Sequence, residues 1–288
     1  MKIAICGITG LIGNAASVYF RSLGYEVVGI GRSDLKKDIH YLQTILSGSD
    51  VLINLAGAPI LKRWTPAWKR KIYNSRIDTT RMLVTAINGM AQPPGLFISS
   101  SAVGVYDAIK VHDEFSPHLD SGFLGKLCQD WEAEALKANV GVRKVILRLG
   151  VVLSIQGGAL KQMLLPFKLG MGGKIGNGQQ AFPFIHLGDL VRALHWMIET
   201  PLAEGIYNTV SPQLITNGEF TQGLSKVLHR WAPFSIPAFV LKFIYGQAAQ
   251  TLIQGQFVIP QRLLADGFVF QFPSIEGALN ELVENEKS

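Results

Sequence analysis

Met1-Lys-Ile-Ala-Ile-Cys-Gly-Ile-Thr-Gly-Leu-Ile-Gly-Asn-Ala15 is the stretch around which the chain is organised. Lys2 to Cys6 is a short apolar run of the kind that fills a buried parallel strand, and Gly7, Gly10 and Gly13 follow at three-residue spacing before helical sequence opens. The pattern predicts a strand, a glycine turn and a helix start. Gly7 permits a tight turn, Gly10 lets the backbone approach a ligand, and Gly13 lets the helix pack close to the strand. Amides around Thr9, Leu11 and Ile12 then point from a helix N-terminus at the position a diphosphate would take. The spacing is GxxGxxG and not the commoner GxGxxG, so a turn that binds nothing stands as the competing reading until the rest of the chain is weighed.

A chain of 288 residues with 48% hydrophobic and 17% charged content can bury a sizeable core, and only Glu284 to Ser288 reads as unstructured. Lys2 before an apolar run faintly resembles an export signal, but one lysine and three glycines make a poor one. The net charge of +6 is scattered. Its densest cluster, Lys62-Arg63 with Lys69-Arg70-Lys71, is interleaved with Trp64 and Trp68 and suits a solvated helix or a phosphorylated substrate as well as nucleic acid, which is not expected as a partner. Two cysteines, Cys6 and Cys128, argue against a disulfide framework and for a reducing cytoplasm. No metal is expected, since no His/Cys group has ligand spacing. The apolar tract Pro237 to Pro260 carries Lys242 and four glutamines, too polar to span a bilayer.

Gly24-Tyr-Glu-Val-Val-Gly-Ile-Gly31 reads as a second strand, ending in Arg32-Ser33. At this strand tip a carboxylate selects the 2′-hydroxyl of NAD, whereas an arginine fork matches the 2′-phosphate of NADP. Arg32 and Ser33 favour NADP; Asp34 keeps NAD possible. Asp50 to Gly57 is a further buried strand whose exit, Leu55-Ala56-Gly57, lies at the ligand-binding edge of the sheet. Helical sequence follows from about Pro66 to Asn88, then Leu96-Phe-Ile-Ser99-Ser-Ser101, a strand ending in three hydroxyls. Val145 to Leu153 is another core strand, with Gly150 and Val151 at its exit toward the nicotinamide end.

In this order the pieces resemble the extended short-chain dehydrogenase/reductase superfamily of nucleotide-sugar epimerases and dehydratases, and within it the atypical "epimerase family" branch that carries a C-terminal domain of unknown function. The landmarks are the glycine turn, Asn54-Leu-Ala-Gly57, Arg63-Trp64-Thr65 with Ser75-Arg76-Ile-Asp-Thr79, Ser99-Ser-Ser-Ala102, Asp130-Trp-Glu132, Arg148-Leu-Gly-Val-Val152, Phe184-Ile-His186 with Asp189, and Gly255-Gln256 before Pro260. The resemblance implies a helical Tyr-x-x-x-Lys proton-transfer pair, which this chain lacks. With Glu132 aligned to the glutamate that often follows the pair, Leu124 and Cys128 occupy its positions. Tyr106 and Lys110 have the spacing but fall in a loop, where a four-residue separation puts nothing on one face. The expected substitutes are Ser101, at the place of the family's substrate-orienting serine, and Lys126, whose alternative is an exposed lysine paired with Asp130.

Glycine-rich loops at Gly157-Gly158 and Gly170 to Gly178 around an amphipathic segment mark the start of a smaller lobe. Asp189 reads as the cap of the helix that follows, and His186 as either a substrate ligand or a hydrogen-bonded core residue. The reading is an α/β, Rossmann-like doubly wound parallel sheet with a dinucleotide-binding domain over 1–152 and returning segments near 180–210. A smaller substrate lobe takes 153–288, with a C-terminal unit at about 237–285. Ser99 joins the cofactor residues; Trp64, Arg76, Tyr106 and His186 are expected about the substrate. The function expected is an NADP(H)-dependent oxidoreductase or epimerase acting on a carbonyl or secondary alcohol of a small molecule, or a non-catalytic NADP(H)-responsive protein that kept the fold.

Overall fold

The computed structural model describes residues 1–287. Its centre is a six-stranded, wholly parallel sheet made by β1 (Lys2–Cys6), β2 (Glu26–Ile30), β3 (Val51–Asn54), β4 (Leu96–Ala102), β6 (Arg143–Leu149) and β10 (Gly205–Thr209), in the order β10-β6-β4-β3-β1-β2. The chain runs from β1 to β2 on one side and then crosses to β3 on the other, which creates a switch point, and therefore a crevice, at the carboxyl ends of β1 and β3.

Two apolar layers sandwich the sheet. One packs α1 (Leu11–Ser22) and α6 (Leu187–Glu199) on the face carrying Ile3, Ile5, Ile53 and Ile98. The other packs α2 (Ile39–Leu46), α3 (Pro66–Asn88) and α4 (Phe123–Ala135) on the face carrying Ala4, Leu52, Phe97 and Ile146. Burial on both faces explains why these strands read as unbroken apolar runs. The start of α3 is set by Thr65, whose hydroxyl accepts from the Trp68 amide with Pro66 in the first turn. Asp38 caps α2 in the same way.

The expected strand Val145–Leu153 breaks at Gly150. β6 stays in the main sheet, whereas β7 (Val151–Leu153) leaves it to pair with β9 (Phe184–His186). A Cβ on Gly150 would meet the Pro183 carbonyl oxygen and Val210 at 2.7 Å, so only glycine lets the chain divide there. Beyond it, α5 (Gly158–Lys168), α7 (Asn217–Val227) and α11 (Ile275–Lys287) build a separate core on Leu160, Phe184, Phe220 and Leu279. The segment read as a glycine-rich loop contains a strand, β8 (Gly173–Ile175), paired with β11 (Phe234–Ile236); short apolar pairs between glycines carry too little pattern to announce themselves. α8 (Ala238–Tyr245) follows. β12 (Phe257–Val258) pairs with β5 (Val111–His112), and α10 (Gln261–Ala265) packs on β10. α11 continues through Lys287, so the expected loss of structure from Glu284 does not occur there; Ser288 lies outside the described residues.

Candidate active site

Gly7 sits at φ +85°, and a Cβ there would meet the backbone of Leu55 and Ala56 at 3.0 Å, so the turns leaving β1 and β3 touch. A Cβ on Gly13 would run into the Gly7 carbonyl oxygen, while Gly10 donates its amide to that same oxygen at 2.9 Å. Gly10 is the N-cap of α1 and has no side chain to satisfy the first-turn amides. The positions of Thr9, Leu11 and Ile12 thus line an open cradle of backbone donors, and Gly157 and Gly158 lie 3.3 Å from Leu11 when given a Cβ, which brings the second lobe over the turn. At the tip of β2, Arg32 and Ser33 are exposed. The Asp34 carboxylate is turned back onto the Gly31 amide at 2.7 Å and the Tyr41 hydroxyl at 3.4 Å.

The exit of β3 is held from below. Asn54 donates to Thr80 Oγ1 at 2.9 Å and to Ser99 Oγ at 3.4 Å, and its own carbonyl oxygen takes the Ala56 amide. Ser99 is fully buried and acts here as a support for the Leu55–Gly57 turn. Arg76, from α3, donates Nη1 to the carbonyls of Ala58 and Ile72, and lies against Gly57 and over the Trp131 ring.

Behind the ends of β4 and β6 lies a buried polar cluster. Ser101 donates to Glu132 Oε1 at 2.6 Å; Arg148 clamps the same carboxylate through Nε at 2.9 Å and Nη2 at 2.7 Å, and gives Nη1 to the Tyr106 hydroxyl at 2.7 Å. Tyr106 in turn donates to Asn208. The ion pair raises the Arg148 pKa against the opposing effect of its burial. Cys128 packs beside Ser101, and burial, with the Glu132 charge next, pushes its thiol up to about 12, so it is neither nucleophile nor base.

The structure brings Ser101, Cys128, Arg76 and the Leu55–Gly57 turn to one end of the crevice. It distributes the other candidates differently. Tyr106 is fully buried and stacked on His112, so it holds Arg148 from within the core and has no surface to offer a substrate. Lys126 is exposed, and the Asp130 carboxylate proposed to pair with it accepts from Tyr73 instead. Trp64 is half-buried, edge-on to Phe123, with its indole N–H on the Ile60 carbonyl. Lys62 and Lys71 lie over the Trp68 ring, so much of the basic cluster is spent on its own indoles. His186 is buried and caps α6, accepting the Gly188 amide at Nδ1 and donating Nε2–H to Glu281. That corrects the reading of Asp189, which is not the cap. It lies in the first turn, fully buried, and grips the amides of Gln271 and Phe272 and the guanidinium of Arg192. Glu132 was missed as a site residue. The signal was present: Arg148 is a charge inside the apolar run Val145–Leu149, and a charge in a buried strand requires a partner.

Residues 3–209 match the model of the NAD dependent epimerase/dehydratase family, and residues 236–282 match a domain of unknown function, DUF1731. Epimerase family protein SDR39U1 of Mus musculus is 39% identical over 292 residues, covering 98% of this chain and all of the relative. A chloroplastic homolog from Arabidopsis thaliana is 34% identical, over 99% of this chain and 87% of its own. The crystal structure of human epimerase family protein SDR39U1 with NADPH superposes with a TM-score of 0.92 at 36% identity, over 99% of this chain and 100% of that one. With its glycine turn, switch-point crevice and C-terminal unit, the chain belongs to the NAD dependent epimerase/dehydratase family.

Proposed function

We propose that this protein binds NADP(H) in the crevice between β1 and β3 and acts as an oxidoreductase or epimerase on a carbonyl or secondary alcohol of a small molecule. The observation that carries the reading is the strand tip of β2, where the Arg32 guanidinium is exposed and the neighbouring Asp34 carboxylate is committed to the Gly31 amide. Gly7 and Gly13 let the turn pack against the Leu55–Ala56 backbone and the start of α1, which leaves the first-turn amides of α1 free for a diphosphate. The human relative's structure with NADPH supports the same choice of dinucleotide. When bound, the nicotinamide supplies or takes a hydride.

What the chain contributes is position and exclusion of water. Gly150 and Val151 leave β6, two strands along the sheet from β3 and its Leu55–Gly57 turn. Ser101 is buried in this structure and directs its proton to Glu132, so it braces the cluster behind the crevice, and its oxygen would accept from a substrate hydroxyl only once uncovered. A water or the exposed Lys126 then exchanges the proton with solvent. A second reading is favoured by Leu124 and Cys128, which occupy the helix positions of the family's proton-transfer pair: the fold serves as an NADP(H)-responsive binding protein without turnover. Cys6 and Cys128 are both buried and unpaired, which supports a reducing compartment such as the cytoplasm. No described helix is long and apolar enough to cross a membrane.

Titration with NADPH and NADH separates these statements. NADPH binds at least tenfold tighter than NADH, and Arg32→Gln removes that preference, weakening NADPH by about 10- to 100-fold while leaving NADH nearly unchanged. Equal affinities in the unmodified chain refute the assignment of Arg32. Oxidation of bound NADPH by a panel of aldehydes, ketones and nucleotide sugars, lost in Ser101→Ala, identifies the enzyme; tight binding with no turnover identifies the sensor.

A further inference from the structure

Among the described residues, Arg76 is a mostly buried guanidinium with no carboxylate partner. Only Nη1 is engaged, by the neutral carbonyls of Ala58 and Ile72 at 3.1 and 3.2 Å. Among the described residues the one titratable group that acts on it is Cys128, whose thiol stays neutral, and burial holds the guanidinium's own pKa down to about 10. A buried cation without an anion is costly, and structural arginines of this fold are treated otherwise: Arg148 has Glu132, and Arg143, which likewise lacks a carboxylate hydrogen bond, spends both Nη atoms on four backbone carbonyls, whereas Arg76 uses Nη1 alone.

The location is equally specific. Arg76 touches Gly57, which closes the turn beside the crevice, and neighbours Cys128, which packs against Ser101. It therefore lies between the cofactor turn and the chemical end, on the helix next to the face left apolar by Leu124 and Cys128. The surroundings are charge-segregated. The stretches Val51–Ile77, Ala135–Gly188 and Phe220–Ala265 hold 17 of the 27 basic residues and none of the 21 acidic ones. They meet in space: β8 pairs with β11, and Arg63 donates to the Phe243 carbonyl. Carboxylates interrupt this excess, Glu132 pairing with Arg148 and Glu134 with Lys137, and the positive charge that remains favours ligands of the opposite sign.

We propose that Arg76 is an anion-binding residue of the active crevice, and that the substrate brings an oxyanion, a carboxylate or phosphate-type group, to the chemical end beside the reacting carbon. The inference rests on the reading of this crevice as an NADP(H)-dependent carbonyl or alcohol site, and it adds the chemical class of what enters. The free edge of the guanidinium offers paired N–H donors, which match a planar carboxylate or a phosphate face. Hydrogen bonding by Nη1 to two backbone carbonyls fixes the plane of the fork before ligand arrives.

The test uses the full chain, saturated with NADP⁺, titrated calorimetrically with sodium oxalate and separately with inorganic phosphate at constant ionic strength. Saturable binding of at least one probe is expected, weakened about 10- to 100-fold in Arg76→Gln and less in Arg76→Lys, each variant being held saturated with NADP⁺ at its own measured affinity. Gly57→Ala is a second route, because its Cβ would meet Arg76 Cζ at 2.9 Å and displace the fork; it too should weaken the probe. Oxalate against phosphate tells which oxyanion the site prefers. No saturable binding of either probe, or binding that survives Arg76→Gln and Gly57→Ala alike, overturns the proposal. If NADP⁺ does not bind but Arg76-dependent oxyanion binding persists, the anion site stands and the cofactor reading is what fails.

Discussion

Replacing Glu132 by leucine is the most demanding test of how the chemical end is supported. Glu132, Arg148, Ser101 and Tyr106 are all at least nine-tenths buried, and the carboxylate takes three of the cluster's hydrogen bonds at 2.6, 2.9 and 2.7 Å. Without it Arg148 keeps only the Tyr106 hydroxyl, and the Ser101 proton has no acceptor. Breaking a buried pair from one side costs about 3–5 kcal/mol, since the remaining charge stays desolvated. For a chain of this size that lowers Tm by on the order of 10 °C. The double variant Glu132→Leu/Arg148→Met removes both charges and should be less destabilised than Glu132→Leu alone, with a coupling energy of about 2 kcal/mol or more. Ser101→Ala should cost only about 1 kcal/mol, because Glu132 retains both bonds from Arg148. Urea unfolding of the four proteins at pH 7, at low and high salt, reads these values; the buried pair should be little affected by salt. A loss under about 1 kcal/mol for Glu132→Leu, or single costs that simply add in the double variant, would refute the account of a desolvated clamp.

Two further outcomes follow from the geometry. His186 accepts the Gly188 amide at Nδ1 and donates from Nε2 to Glu281, a pattern only the neutral ring can make, and burial, outweighing the Glu281 charge, lowers its pKa below the ordinary value of about 6.5. The unfolded chain therefore binds the extra proton first: the contribution is complete above about pH 6.5 and is lost as pH falls toward the folded pKa. Urea midpoints between pH 7.5 and 5 should fall more steeply for the unmodified chain than for His186→Gln, and parallel curves would contradict this. Gly13→Ala forces a Cβ onto the Gly7 carbonyl oxygen, so it should destabilise by about 1–3 kcal/mol and abolish nicotinamide dinucleotide binding; a stable, fully binding variant would remove the case for a diphosphate cradle.

The main sheet was legible because each strand is buried on both faces and is bracketed by glycine or polar turns. Lys2–Cys6 and the span of α3 emerge as read. Where the pattern is short, sequence loses the signal. β8 has three residues, and β7 leaves the sheet at Gly150 for a reason that lies in Pro183 and Val210, far along the chain. Capping roles are ambiguous for the same reason. His186 and Asp189 stand three residues apart at a helix start, and either side chain suits a cap. What sends Asp189 inward is the arrival of Gln271 and Phe272, about 80 residues later.

The chemical end shows why spacing alone misleads. Tyr106 and Lys110 have the right separation but not one helical face, while Ser101, Glu132 and Arg148 have no recognisable spacing and converge from β4, α4 and β6. That convergence also constrains the chemistry. A serine hydroxyl has one proton, and here it is directed at the Glu132 carboxylate that Arg148 clamps, inside the core. An alcohol that reached the oxygen could donate to it without disturbing that bond, whereas donating to a carbonyl would require turning the proton away from Glu132. A phenol–lysine pair has no such bias, because the phenol gives and takes its proton. With Leu124 and Cys128 in place of that pair, neither position supplies a proton donor, which is why the proposed reaction draws its proton from water or from the exposed Lys126.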